Sequence, residues 1–174
     1  MESWANSELP AHTLMQRAGL AVAQLAVAVA PHARVIWIAC GPGNNGGDGY
    51  EAARHLKLWG KLPVVTADDQ PARLPADAEM SRKRAIDAGV LVTAYAPSQY
   101  DLCIDAMFGI GAIRSLAPPY TDWVYRFNSG ASPVLAVDIP SGLDADSGTR
   151  RVDSVHADYT LSLLTLKPGL FTAD

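Results

Sequence analysis

The chain has 174 residues, 49% of them apolar and 18% charged, and its 18 acidic residues exceed its 14 Lys and Arg, which gives a formal net charge of −4. This length suits one domain, and the composition excludes a disordered chain. The acidic balance argues against a nucleic-acid partner, and the longest uncharged window, 18–33, is too short to span a membrane. Because the first ten residues lack the basic start of a secretory signal, we expect one cytoplasmic domain over residues 1–174.

The hydrophobic pattern alternates between helices and strands. Residues 14–30 carry Ala and Leu at helical spacing and predict a helix, and the apolar run 34–40 predicts a central strand of a parallel sheet. A glycine-rich turn over 41–49 then leads into a predicted helix over 50–60. Further strands are predicted at 61–67, 90–95, 100–106, 133–139 and 158–166. One further helix is predicted to develop within 68–79 and to end at about Ala88, and another is predicted over 119–130. This order predicts an α/β fold, a three-layer, Rossmann-like, doubly wound and mostly parallel sheet.

The glycine-rich segment GPGNNGGDG lies where such a sheet binds ligands, after a strand and before a helix. Gly41, Gly43 and Gly46 satisfy the G-x-G-x-x-G pattern of dinucleotide cradles, in which glycines let the backbone approach phosphate. An acidic residue, Asp68 or Asp69, follows about 20 positions later, as that pattern expects.

Polar side chains in the same segment fit a bare pyrophosphate cradle poorly. A carboxylate at Asp48 repels phosphate, whereas Asn44, Asn45 and Asp48 together suit a cation or sugar hydroxyls. The alternative is a tight turn in which Asp48 caps the following helix. A cap would need neither the paired Asn residues nor five glycines in nine positions.

The segment 105–115, DAMFGIGAIRS, ends a predicted strand at Asp105 and continues through two glycines to one cation, Arg114. A carboxylate at a strand end can face a ligand, and an arginine can bind phosphate. The alternative is that Asp105 caps a turn and Arg114 is a solvated surface charge.

The segment 137–148, VDIPSGLDADSG, places Asp138 and Ser141 after another apolar strand. Because the pattern G-x-S-x-G is absent, Ser141 is expected to supply an oxygen ligand and not a nucleophile. Asp144 and Asp146 are predicted in a solvated turn. Lys167, after the last predicted strand, either points into the same crevice or lies in a loop, and the sequence leaves both open.

Histidines and cysteines show no metal-binding pattern. Cys40 and Cys103, 63 positions apart, fall inside predicted strands and are expected to be reduced core residues. The four histidines have no ligand spacing and are predicted on the surface or on helix faces: His12, His32, His55 and His156.

Taken together, these segments resemble the NAD(P)H-hydrate epimerase family, also called the YjeF N-terminal domain. The matching segments occur in family order: LMQRAG at 14–19, GPGNNGGDGY at 41–50, DAMFGIG at 105–111, VDIPSGLD at 137–144 and LKPG at 166–169. The resemblance implies a Rossmann-like sheet that interconverts the R and S forms of hydrated NADH and NADPH (NADHX and NADPHX). These damaged cofactors carry a hydroxyl at C6 of the nicotinamide ring.

Roles for particular residues also follow from the resemblance. It implies a potassium ion held by Asn45, Asp105 and Ser141. Epimerisation needs a positioned acid or base, for which Asp138 is the first choice, with Asp48 and Lys167 as the other candidates. The implied substrate-binding residues are Asn44, Asn45, Gly46, Gly47, Asp48, Gly109, Ile110, Gly111, Ala112, Ile113, Arg114, Ser115 and Asp138.

The resemblance further implies a homodimer and a functional partner. The partner is an ADP- or ATP-dependent NAD(P)H-hydrate dehydratase, which converts the S form back to the undamaged cofactor and is sometimes fused to the same chain. The family usually has a helix before LMxxAG and continues past LKPG, whereas only 13 residues precede the first motif here and the chain ends at Asp174. We therefore expect that part of the fold, or a C-terminal dehydratase domain, lies outside this sequence.

Two other functions compete with the epimerase. An NAD(P)-dependent oxidoreductase would explain the glycine pattern and the acidic pair at 68–69, but the sequence has no Tyr-x-x-x-Lys pair and the Asn pair stays unexplained. A non-catalytic scaffold of the same fold should have lost its carboxylates, and Asp48, Asp105 and Asp138 are all present. Nicotinamide absorbance separates the enzymes, because a dehydrogenase changes it and an epimerase alone does not.

Overall fold

Six parallel strands form the sheet in the part of the chain that the structure describes. The computed structural model describes residues 12–68, 73–110 and 116–173. The strand order is β3-β2-β1-β4-β5-β6, and each of these neighbouring pairs is parallel. The strands are β1 (Val35–Cys40), β2 (Leu62–Thr66), β3 (Leu91–Thr93), β4 (Leu102–Ala106), β5 (Val134–Val137) and β6 (Tyr159–Leu161). The helices are α1 (Thr13–Val29), α2 (Asn44–Leu58), α3 (Ala76–Asp87), α4 (Tyr120–Ser129) and α5 (Gly169–Thr172).

Helices cover both faces of the sheet, which explains why its central strands are apolar throughout. On one face, Ile36 and Ile38 of β1 pack in a core with residues of α1, α2 and α3. On the other, Trp37 packs with Trp123 and Phe127 of α4. The three-layer α/β prediction is confirmed. Both cysteines are buried and free, as predicted.

Between β1 and β4 the sheet reverses its strand order. The chain runs outward from β1 to β2 and β3, then returns to place β4 on the other side of β1. In open α/β sheets the loops on either side of such a reversal leave a crevice at the carboxyl ends of the strands, where ligands bind. The segments that begin at Gly41, Asp105 and Asp138 all lie at this edge.

The glycine-rich segment differs from its prediction as a turn. Helix α2 begins at Asn44, so most of that segment is helical. Close packing explains this: a Cβ on Gly46 would lie 2.1 Å from the Gly41 carbonyl oxygen, and one on Gly49 would lie 2.6 Å from the Ala106 Cβ. Glycine therefore lets the first turns of α2 pack directly on the sheet.

Other predictions needed smaller corrections. The observed β3 and β6 are shorter than the predicted strands 90–95 and 158–166, and α5 was not predicted. The surface or helix-face prediction is wrong for His12, which is 3% exposed and lies 2.7 Å from the Ser81 hydroxyl and 3.4 Å from Glu51. Within the described ranges, no helix combines the length and apolar character needed to cross a membrane.

Candidate functional site

The loops after β4 and β5 are tied together by Asp105 and Ser141. Asp105 Oδ1 accepts the Ser141 hydroxyl at 2.7 Å and the Met107 N–H at 3.2 Å, and its Oδ2 accepts the Ser141 N–H at 2.7 Å. Burial raises the pKa of the fully buried Asp105 to about 6, against the effect of these hydrogen bonds. The Phe108 N–H donates to the Ser141 hydroxyl at 3.0 Å. Two of the three residues that the resemblance assigns to potassium are thus in direct contact.

Asn45 lies in the first turn of α2 and is buried. Its side-chain nitrogen is buried and has no hydrogen-bond partner among the described residues. A Cβ on Gly109 would lie 3.7 Å from Asn45 Oδ1 and 3.2 Å from Asp138 Oδ2, so this glycine is close to both side chains. A buried amide without a partner is costly and indicates that a bound group completes its contacts.

Asp138 forms a buried ion pair with Lys167. Asp138 follows β5 with its backbone in the left-handed region, at a φ of 70°. Its Oδ1 accepts the Leu163 N–H at 3.2 Å and the Lys167 ammonium. Lys167 also donates to the Leu163 carbonyl at 2.7 Å and to the Ser162 hydroxyl at 3.2 Å. Of the two positions that the sequence left open for Lys167, the structure has the one in the crevice.

Asp48 is the second carboxyl group of the crevice. It lies on α2, one turn after its start, and is 9% exposed. Burial, and then the negative charges of Asp138 and Glu51, raise the pKa of Asp48 to about 8. At pH 7 this group is therefore mostly a neutral proton donor, while Asp138 is held by an ammonium group. Two carboxyl groups with such different surroundings can serve as acid and base in one site.

The structure places the sequence-predicted residues differently. Asn45, Asp48, Asp105, Asp138 and Ser141 line or approach the crevice, whereas Asn44 and Ile110 are exposed. The helical Gly46 packs against Gly41, and Gly47 packs against Met15 and Ala78. Asp144 and Asp146 are exposed in a turn, as predicted. The predicted binding residues Gly111, Ala112, Ile113, Arg114 and Ser115, and the acidic Asp69, lie outside the described residues.

Sequence reasoning missed contacts that depend on the backbone. The N–H groups of Met107, Phe108 and Leu163 fix the side chains of the crevice, and no side-chain pattern could indicate them. Glu51 was also missed, although its position one turn after Asp48 on a helix is a usable signal.

The oxygen donors at this edge fit a hard cation. In the described part of the chain, no group of three or more His, Cys, Asp or Glu side chains is arranged to hold a metal ion. The donors here are instead carboxylate, hydroxyl and amide oxygens of Asp105, Ser141 and Asn45, which hard cations prefer. The described partners of the Asp105 carboxylate are neutral N–H and O–H groups, so a cation beside it would compensate a buried charge.

Known proteins are similar to this chain over most of its length. A family model described as "YjeF-related protein N-terminus" matches residues 11–169. The chain is 37% identical over 167 residues to the bifunctional NAD(P)H-hydrate repair enzyme Nnr of Escherichia coli. This match covers 94% of this chain and 32% of that protein. It is 39% identical over 162 residues to the NAD(P)H-hydrate epimerase of Bordetella bronchiseptica. That match covers 90% of this chain and 71% of the Bordetella protein.

A solved structure agrees with these sequence matches. The crystal structure of yeast ynu0, YNL200c, matches with a TM-score of 0.84 and 26% identity, over 96% of this chain and 76% of that one. The chain thus spans about a third of the length of the bifunctional relative and about seven-tenths of the Bordetella protein.

Proposed function

Because this chain belongs to the YjeF-related N-terminal family, we propose that it interconverts the R and S forms of hydrated NADH and NADPH. The observation that carries this proposal is the crevice itself, in which the buried Asp48, with its pKa raised to about 8, lies near the Asp138–Lys167 ion pair. Relatives covered to about seven-tenths of their length are named NAD(P)H-hydrate epimerase, which supports it.

The reaction inverts one carbon without oxidation or reduction. Either the C6 hydroxyl leaves and returns on the other face, or the ring opens and recloses, and both routes need a proton donor and a proton acceptor. On the first route, Asp48 protonates the hydroxyl, which departs as water while the ring nitrogen lone pair forms the N1=C6 bond. Water then adds to the opposite face and gives a proton to Asp138. Transfer of that proton to Asp48 restores the starting state.

Lys167 acts through Asp138 in this proposal. Its three hydrogen bonds fix the ammonium group in place, and the Leu163 N–H holds the same Asp138 oxygen from a second direction. This arrangement positions the carboxylate for the proton transfer.

A potassium ion is part of the same proposal. Asn45, Asp105 and Ser141 would hold it, and the ion would supply a positive charge beside the buried carboxylate at the edge of the crevice. The support is the set of carboxylate, hydroxyl and amide oxygens that these three residues carry, two of them already in contact through the Asp105–Ser141 hydrogen bond.

The remaining implications of the resemblance also belong here. We propose that this chain acts as a homodimer and hands the S form to an ADP- or ATP-dependent dehydratase. Relatives named bifunctional NAD(P)H-hydrate repair enzymes, of which this chain covers about a third, support a dehydratase on the same polypeptide.

The test uses a mixture of R and S NADHX with an excess of an S-specific dehydratase and its nucleotide. The dehydratase alone should stall once the S form is consumed, apart from slow spontaneous epimerisation, and adding this protein should accelerate conversion of the R fraction. Asp138→Asn should lose nearly all of that acceleration and keep its circular dichroism spectrum, whereas the exposed Asp146→Asn should keep its activity. A folded protein that leaves the R fraction unchanged would contradict the proposal.

A further inference from the structure

A pocket outside the crevice lies at the carboxyl ends of β2 and β3. It has a volume of about 450 Å³, within the range of small-molecule sites. Asp68 after β2, Tyr95 after β3, and Asp122, Trp123 and Arg126 of α4 contribute to its walls. The reaction steps proposed above use none of these residues.

A second cavity lies between this pocket and the glycine-rich segment. This smaller cavity shares the Asp68 wall and is also lined by Gly41 and Pro42, directly before α2, and by Tyr120. The pocket therefore lies on one side of the start of α2, at the ends of β2 and β3. The Asp138–Lys167 pair lies on the other side, at the ends of β5 and β6. Strands β2 and β5 are three strand spacings apart, about 14 Å. The two riboses and the pyrophosphate of an extended dinucleotide bridge such a distance.

We propose that this pocket holds the adenosine half of the hydrated nicotinamide dinucleotide, and that Asp68 and Asp122 make the protein select NADHX over NADPHX. This inference rests on the proposed function, since it places the hydrated ring at Asp138. The Asp68 carboxylate accepts hydrogen bonds from the ribose hydroxyls. It has about four lone-pair sites, and the ribose hydroxyls would bind it in addition to the contacts that it already makes.

Charge explains the selection. NADPHX carries an additional phosphate on the adenosine ribose, and two carboxylates in the pocket wall repel it. Arg126 also faces the pocket, but its guanidinium donates to the Pro97 carbonyl at 2.6 Å and stacks 5.2 Å from the Trp37 ring centroid. Arg82 lines only the smaller cavity. The exposed ring of Tyr95, 80% accessible, offers a face on which adenine stacks.

Binding of fragments tests the pocket separately from catalysis. Isothermal titration calorimetry with ADP-ribose and 2′-phospho-ADP-ribose should show at least tenfold tighter binding of ADP-ribose by the unmodified protein. Asp68→Asn should weaken ADP-ribose binding about tenfold, which is the effect of one charge-assisted hydrogen bond. The same variant should also reduce the preference for ADP-ribose over 2′-phospho-ADP-ribose. Tyr95→Ala should also weaken ADP-ribose binding, whereas Asp146→Asn, which removes the same charge from an exposed turn, should not.

The epimerase assay then separates the two proposals. Asp68→Asn should raise KM for NADHX and increase the relative kcat/KM for NADPHX. Asp68-dependent binding of ADP-ribose by a protein without epimerase activity would support the pocket and refute the proposed function. The pocket would be refuted if the protein is an active epimerase but neither Asp68→Asn nor Tyr95→Ala changes its binding of ADP-ribose. Tighter binding of 2′-phospho-ADP-ribose than of ADP-ribose would refute the proposed selection.

Discussion

Replacing Asp48 by Asn should stabilise the protein at neutral pH while removing activity. The folded state raises the pKa of Asp48 to about 8 from an ordinary value of 3.8, mainly by burial. Between these two values the unfolded chain has released a proton that the folded chain keeps, so the stability of the unmodified protein falls as the pH rises. Each pH unit removes about 1.4 kcal/mol, which is about 3 kcal/mol between pH 5 and pH 7. The positive end of α2 opposes this by less than about 1 kcal/mol.

Urea denaturation at several pH values measures this effect. The free energy of unfolding of Asp48→Asn minus that of the unmodified protein should increase by about 2 to 3 kcal/mol from pH 5 to pH 7, because Asn cannot ionise. The same difference for Asp146→Asn, an exposed position, should stay within about 0.5 kcal/mol. A difference for Asp48→Asn that does not depend on pH would refute the reasoning that Asp48 is buried in its neutral form.

Two further predictions concern the cations of the crevice. Lys167→Met should lower kcat for epimerisation by about a hundredfold, the lower end of a general acid–base contribution, with a smaller effect on KM. Lys167→Arg should restore part of kcat, whereas equal losses in both folded variants would argue against positioning by the ammonium group. Exchange of potassium for tetramethylammonium should lower Tm by about 5 to 10 °C if potassium is present at about a hundred times its Kd. Asp105→Asn should abolish that difference, and an unchanged Tm in the unmodified protein would contradict the potassium site.

The sequence predicted most of the sheet because its information there is local. Strands such as 34–40 and 100–106 are continuous apolar runs, which a sheet covered on both faces requires. The rule that parallel strands gather their carboxyl ends at one edge also predicted that the loops carrying Asp105 and Ser141 lie together, and the family resemblance paired these two residues. These inferences needed only the order of the elements.

The rest of the site depends on contacts that no local pattern contains. Five glycines in nine residues oppose a helix, so the start of α2 at Asn44 was not predicted. Packing against the sheet overrides that propensity. Lys167 meets Asp138 across 29 residues, and the contact depends on how the backbone at 162–163 turns after β6. The raised pKa of Asp48 likewise requires the burial that the folded helix creates.

The glycines of α2 have a chemical consequence beyond backbone geometry. In a dinucleotide cradle the same pattern lets the chain approach a pyrophosphate. Here Gly46 and Gly49 bring the first turns of the helix against Gly41 and the β4 end, and the side chain carried between them, Asp48, becomes buried beside Asp138. That burial makes Asp48 neutral at pH 7, and therefore able to donate a proton. The carboxyl group inside the helix, and not the G-x-G-x-x-G spacing, thus separates this site from that of a dehydrogenase.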